Sequence, residues 1–295
     1  MNPTLTALLK QGPVILDGAW GTQLQARGLE PGQCPEDWNL IHEDRVRDVA
    51  QAYVHAGSQV ILTNTFGASR TVLQRHGLDQ FVKEINRAGA QISREAAGND
   101  ALVFASVGPT GKILMNGDMT VYEMECVFQE QVEALAEGGI DGFVIETMAE
   151  LEEAQIALKA AQSIGKPVVV SMVYDSGRDR DRTMMGVTPE QATESLDEWG
   201  ADIIGANCGN GIEGFLSLGK RIRSRTQKPV WLKANAGLPV IREAMTCYET
   251  TPEQFARAAI KLADMGASFI GGCCGTSPDH IRALAAQLAS RELAG

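Results

Sequence analysis

Six cysteines are spread over the 295 residues, and three of them stand where they could share one ion. Cys273 and Cys274 are adjacent within Gly271-Gly272-Cys273-Cys274-Gly275-Thr276, and Cys208 lies in Gly205-Ala206-Asn207-Cys208-Gly209-Asn210-Gly211. Neighbouring strand residues point to opposite faces, so two adjacent cysteines reach one point only where the backbone leaves strand geometry. Gly272 and Gly275 flank the pair and tolerate the dihedral angles this needs. Thiolates select a soft metal, and three protein ligands with one open position describe a catalytic zinc. A structural zinc would bring four ligands in close pairs, which this spacing does not. Small buried core cysteines and a vicinal disulfide are the other readings of the same residues.

A metal held by three cysteinates is suited to activating a thiol. A free thiol has a pKa of about 8.5, so little of it is nucleophilic at neutral pH, and coordination removes the proton. Other polar residues at expected strand ends suit an amino-acid thiol. Asp17 and Glu146 offer carboxylates to an ammonium, and the backbone around Gly18 and Gly21 offers amides to a carboxylate. Asn235 is a further substrate contact, with Asn64 and Asn207 as orienting residues. No catalytic side chain is assigned beyond the metal site. Cys126 falls in a helical pattern and Cys34 and Cys247 in loops, without a function. The histidines form no ligand pattern, and His280 caps or packs in the last helix.

These residues need a frame that brings distant segments to one place. Short runs rich in Val and Ile recur at Val14 to Asp17, Gln59 to Thr63, Leu102 to Ser106, Gly142 to Ile145, Pro167 to Val173, Asp202 to Ala206, Pro229 to Lys233 and Ser268 to Gly271. Uniformly apolar runs of this length read as parallel strands buried on both faces. Helical patterns lie between them, including Val46 to Ala56, Val121 to Glu137, Leu151 to Ser163, Pro189 to Trp199 and Pro252 to Met265. Thr188-Pro189 and Thr251-Pro252 mark helix starts, and Gly57, Gly165, Gly200 and Gly266 mark helix ends. The fold class is therefore α/β: a single (β/α)8 TIM barrel filling residues 1–295 as one domain, with an open doubly wound sheet as the alternative. The irregular stretches Gly18 to Arg45, Gly108 to Thr120 and Asp175 to Val187 would overhang the C-terminal mouth, where such barrels do chemistry.

Composition excludes several partners. A net charge of -11 and 44% hydrophobic residues argue for a globular protein without a nucleic-acid partner, which would want a basic patch. No apolar run approaches the roughly 18 residues of a membrane span. Met1 to Pro13 lacks the pattern of a signal peptide, so the expected location is cytoplasmic.

Six segments together carry a resemblance: ILDGAWGTQLQARG at 15–28, TNTFGAS at 63–69, GPTGKIL at 108–114, IETM at 145–148, GANCGNG at 205–211 and GGCCGT at 271–276. The chain resembles the homocysteine S-methyltransferase family from about Leu16 to Ile281. The resemblance implies Zn2+ on Cys208, Cys273 and Cys274, homocysteine bound near Asp17, Gly18 and Glu146, and methyl transfer to the zinc-bound thiolate in methionine biosynthesis. The donor stays open: a methylcorrinoid on a separate partner protein, betaine or a methylsulfonium. No Asp-x-His-x-x-Gly corrinoid motif occurs in the sequence. Thr147 and Gly67 stand where betaine enzymes of the animal type carry tyrosines, leaving Trp20 and Tyr174 to build a different aromatic cage. The alternatives are a thiol methyltransferase component of a corrinoid demethylation system acting on another thiol, and a non-catalytic metal or redox barrel.

Overall fold

Short apolar runs can be buried on both faces, and the chain uses them as the staves of a barrel. The computed structural model describes residues 3–242 and 245–292. Its barrel strands are β1 (Val14–Ile15), β2 (Val60–Leu62), β3 (Leu102–Val107), β4 (Gly142–Met148), β5 (Val168–Met172), β6 (Ile203–Gly211), β7 (Val230–Asn235) and β8 (Phe269–Gly272). They are parallel and lie in the order β1-β8-β7-β6-β5-β4-β3-β2. A bridge between Leu16 and Val60 brings β2 back to β1. Hydrogen bonds from Gln59 N to Ile15 O (2.8 Å) and from Asp17 N to Val60 O (3.1 Å) complete that seam. The sheet is a barrel rather than an open, doubly wound sheet.

The principal helices are α1 (Glu43–His55), α2 (Val82–Ala97), α3 (Val121–Glu137), α4 (Leu151–Gln162), α5 (Pro189–Glu198), α6 (Ile212–Arg223), α7 (Pro252–Asp264) and α8 (Pro278–Glu292). Thr188 and Thr251 close capping boxes with Gln191 and Gln254, and Thr120 does the same with Glu123. Gly57 and Gly266 follow their helices at φ 102° and 90°, the left-handed stop expected of them. No helix among the described residues is long and apolar enough to cross a membrane.

Strand alternation sorts the apolar residues into two layers. Phe143, Ile145, Val230 and Leu232 face the helices in the larger core. Val144 and Trp231 join Val14, Leu16, Val60, Leu62, Phe104, Val169, Ile203 and Phe269 inside the barrel, and Leu5 from the short helix Pro3–Leu9 packs with them. The same period of two turns Glu146 and Lys233 into the barrel one step further along β4 and β7. The register therefore decides what lines the mouth.

Two strands run longer than their apolar runs. β4 continues past Ile145 to Met148 and β6 past Ala206 to Gly211, each through a register shift. Thr147 and Cys208 sit in those extensions at φ 63° and 60°. Left-handed backbone at a non-glycine residue costs on the order of 1–3 kcal/mol and persists only where its surroundings enforce it. Cys247, expected in a loop, ends the strand Met245–Cys247, which pairs with Val240–Arg242 in a hairpin. Strands of three residues are too short to show as an alternating run in the sequence.

Candidate metal and acceptor site

The sulfurs of Cys208, Cys273 and Cys274 lie within 4.8 Å of one another, with 3.8 Å between those of Cys208 and Cys274. The left-handed turn at Cys208 takes its side chain out of strand alternation and across to the vicinal pair. On the other side, β8 ends at Gly272 and the chain turns through Gly275 at φ 79°. A Cβ on Gly275 would overlap the ring of Tyr248, so glycine is required there twice over. Gly272 serves differently: its φ is not left-handed, but a Cβ would press on Thr276. Thr276 Oγ1 donates to Cys273 O (2.7 Å) and accepts from Ala19 N (3.0 Å), tying the cysteine loop to the segment after β1.

The three sulfurs share protons as one cluster. Hydrogen bonds from Cys273 and Cys274 lower the Cys208 thiol to about 3 against the effect of burial, with help from the Gly209 N–H and the Asn235 side chain. As donors to Cys208, Cys273 is pushed well above its usual value and Cys274 up to about 11. Asn235 is buried beside this cluster, and its Oδ1 has no hydrogen-bond partner among the described residues. All six cysteines are unpaired, so the vicinal disulfide is absent.

A cavity of about 410 Å³ opens from the sulfurs. Gly18, Glu146, Cys208, Cys273 and Cys274 all line it, as do Trp20, Phe66 and Lys233. Glu146 accepts from Ser106 Oγ and from Asn207 Nδ2 (3.4 Å). Burial raises its carboxyl above the usual range, and Lys233 and Ser106 oppose that shift. Asn207 holds the strained Thr147 in place. Its Oδ1 accepts from Thr147 N (2.9 Å) and Ser171 Oγ (2.7 Å), and its Nδ2 donates to Thr147 Oγ1 (2.7 Å).

Asp17 sits deeper than its place in the sequence suggests. Its Oδ1 accepts from Lys233 Nζ, and its Oδ2 accepts from Trp20 Nε1 and Leu62 N, both at 2.8 Å. Burial works to lower the Lys233 pKa, but the Asp17 and Glu146 carboxylates outweigh it and raise the value. The Ala19 N–H is taken by Thr276 rather than offered to the cavity. Asn64 donates to Pro35 O and Asn39 Oδ1, a structural role at the rim. The expected Trp20–Tyr174 cage does not form: Trp20 lines the cavity, whereas Tyr174 is buried outside its wall. His280 Nδ1 accepts from Ser277 N (3.1 Å) and so caps α8.

Sequence reasoning missed Lys233, Ser106 and Phe66. For Lys233 a signal existed, since a lysine inside the run Val230-Trp231-Leu232-Lys233-Ala234 is anomalous for a strand buried on both faces.

A model of the homocysteine S-methyltransferase family matches residues 14–288. The methionine synthases of Mycobacterium leprae and Mycobacterium tuberculosis are each 29% identical over 97% of the chain, which spans about a quarter (25%) of their length. Betaine–homocysteine S-methyltransferase 1 of Bos taurus is 30% identical, over 95% of this chain and 74% of that protein. The homocysteine methyltransferase MmuM from Escherichia coli, solved in a metallated form, superposes with a TM-score of 0.81 at 25% identity, over 97% of this chain and 100% of that one.

Proposed function

Since the chain belongs to the homocysteine S-methyltransferase family, we propose that it methylates the thiol of homocysteine to give methionine, with zinc held by Cys208, Cys273 and Cys274. The convergence of three sulfurs at the head of the cavity carries this reading. The donor set fits a soft cation, and the Asn235 side chain donates to the Cys208 sulfur. When bound, zinc supplies the Lewis acidity that keeps an acceptor thiol deprotonated at neutral pH. The chain's own residues do the rest. Gly18 and Glu146 line the space that the amino-acid end of the acceptor would fill, with Asp17 beneath it and Asn235 beside the sulfurs. Trp20 and Phe66 give the mouth an apolar wall against which a methyl donor can approach in line with the acceptor sulfur.

The whole chain is read as one barrel domain in a reducing compartment such as the cytoplasm, where its free thiols persist. The donor is betaine, a methylsulfonium, or a methylcorrinoid presented by a separate protein. The test supplies zinc-replete protein and homocysteine with betaine, S-methylmethionine or methylcobalamin in turn, and follows methionine. Turnover with one donor supports the proposal. Protein that takes up no zinc and binds no homocysteine sinks it.

A further inference from the structure

A lysine that is 2% exposed inside a barrel calls for a reason, because burying an ammonium is costly unless it is paired. Lys233 has one partner in Asp17, to which Nζ donates. An ammonium carries three N–H groups, and among the described residues that is its one hydrogen bond. Lys233 is also part of the cavity wall, together with Gly18, Ser106 and Glu146. Asp17, by contrast, is engaged on both oxygens: Lys233 on one, Trp20 and Leu62 on the other. What the deep end of the cavity presents is therefore a cation with donors to spare, backed by its own counter-ion.

We propose that Lys233 receives the carboxylate of the acceptor thiol, that Asp17 acts through Lys233 as a fixed counter-ion, and that Glu146 is the group left to take an ammonium. The inference rests on the acceptor reading above and narrows it: the site selects thiols that carry a carboxylate. Charge-assisted hydrogen bonds from a preorganised lysine give that selectivity. A purely structural Asp17–Lys233 pair would need neither spare donors nor a place in the wall.

The experiment titrates zinc-loaded protein calorimetrically with three thiols: L-homocysteine, 4-mercaptobutyrate, which lacks the ammonium, and 3-aminopropanethiol, which lacks the carboxylate. The variants are Lys233→Met and, because that change strands the Asp17 carboxylate, Lys233→Met combined with Asp17→Asn, which removes that charge as well. Both should weaken homocysteine and mercaptobutyrate by roughly 10- to 100-fold and leave aminopropanethiol within about threefold. Lys233→Arg should keep the preference for the carboxylate-bearing thiols. Should Lys233→Met fail to fold, the paired variant decides. Equal loss for all three thiols, loss confined to the two that carry an amine, or no loss at all overturns the assignment. A parent protein that binds homocysteine while the variants bind it equally well defeats this inference alone. A parent protein that binds none of the three defeats the acceptor reading as well.

Discussion

Asn207 is the residue whose removal should do most damage for its size. Its amide fixes the left-handed Thr147 and reaches Glu146 and Ser171, and it directly precedes Cys208, which is also left-handed. Asn207→Ala deletes three hydrogen bonds of 2.7–2.9 Å and one longer contact of 3.4 Å. Each good bond contributes about 1 kcal/mol net, and leaving the Ser171 hydroxyl and Thr147 N–H without their partner adds to the loss. Relaxation of the strained backbone at Thr147 returns part of it. The sum is about 3–4 kcal/mol, which at roughly 2–3 °C per kcal/mol for a chain of this size lowers Tm by about 6–12 °C. Calorimetry and urea titration measure this, with the midpoint falling at constant slope. Zinc affinity, read by chelator competition, should fall roughly 10- to 100-fold, the range for residues that orient metal ligands. A Tm loss below about 2 °C with unchanged zinc affinity would refute the expectation that the Asn207 network reaches the metal through its neighbour Cys208.

Other consequences follow from single features of the site. Gly275→Ala places a methyl against Tyr248 at a left-handed φ of 79° and should weaken zinc binding before it lowers Tm; equal affinity for the two proteins would remove the need for glycine there. Glu146→Ala should weaken homocysteine while the zinc content, measured by atomic absorption, stays at the parent level. Hydrogen bonds from Arg221 lower the Glu190 carboxyl from about 4.5 to about 2. A depressed carboxyl contributes stability that is present above the unfolded value and lost as pH falls through the folded one. The Tm gap between the parent protein and Glu190→Gln should therefore close between pH 4.5 and 2. A gap that is constant across that window contradicts the ion pair.

The barrel was legible because its signals are local and repeated. Each buried strand announces itself as a short apolar run, and Thr188, Thr251, Gly57 and Gly266 punctuate the helices by cap chemistry that any sequence shows. The convergence of Cys208, Cys273 and Cys274 was legible for a different reason: cysteines flanked by glycines at strand ends have few structural uses. What stayed hidden depends on register and on long-range pairing. The extensions of β4 and β6 arise from bulges that hold Thr147 and Cys208 left-handed, and no propensity foretells those. The partners of Asp17 stayed hidden because Trp20, Leu62 and Lys233, which donate to it, come from three separate segments. Tyr174 reads as a cage partner for Trp20 because the sequence holds few aromatic residues, whereas its packing takes it out of the cavity wall.

Zinc K-edge absorption of the metal-loaded protein, recorded before and after homocysteine is added, tests the central claim most directly. Three cysteine sulfurs should give three sulfur scatterers and a lighter atom at first, and four sulfurs once the acceptor thiol arrives. A spectrum that already shows four sulfurs, or one that homocysteine leaves unchanged, would contradict a site with a coordination position reserved for the acceptor.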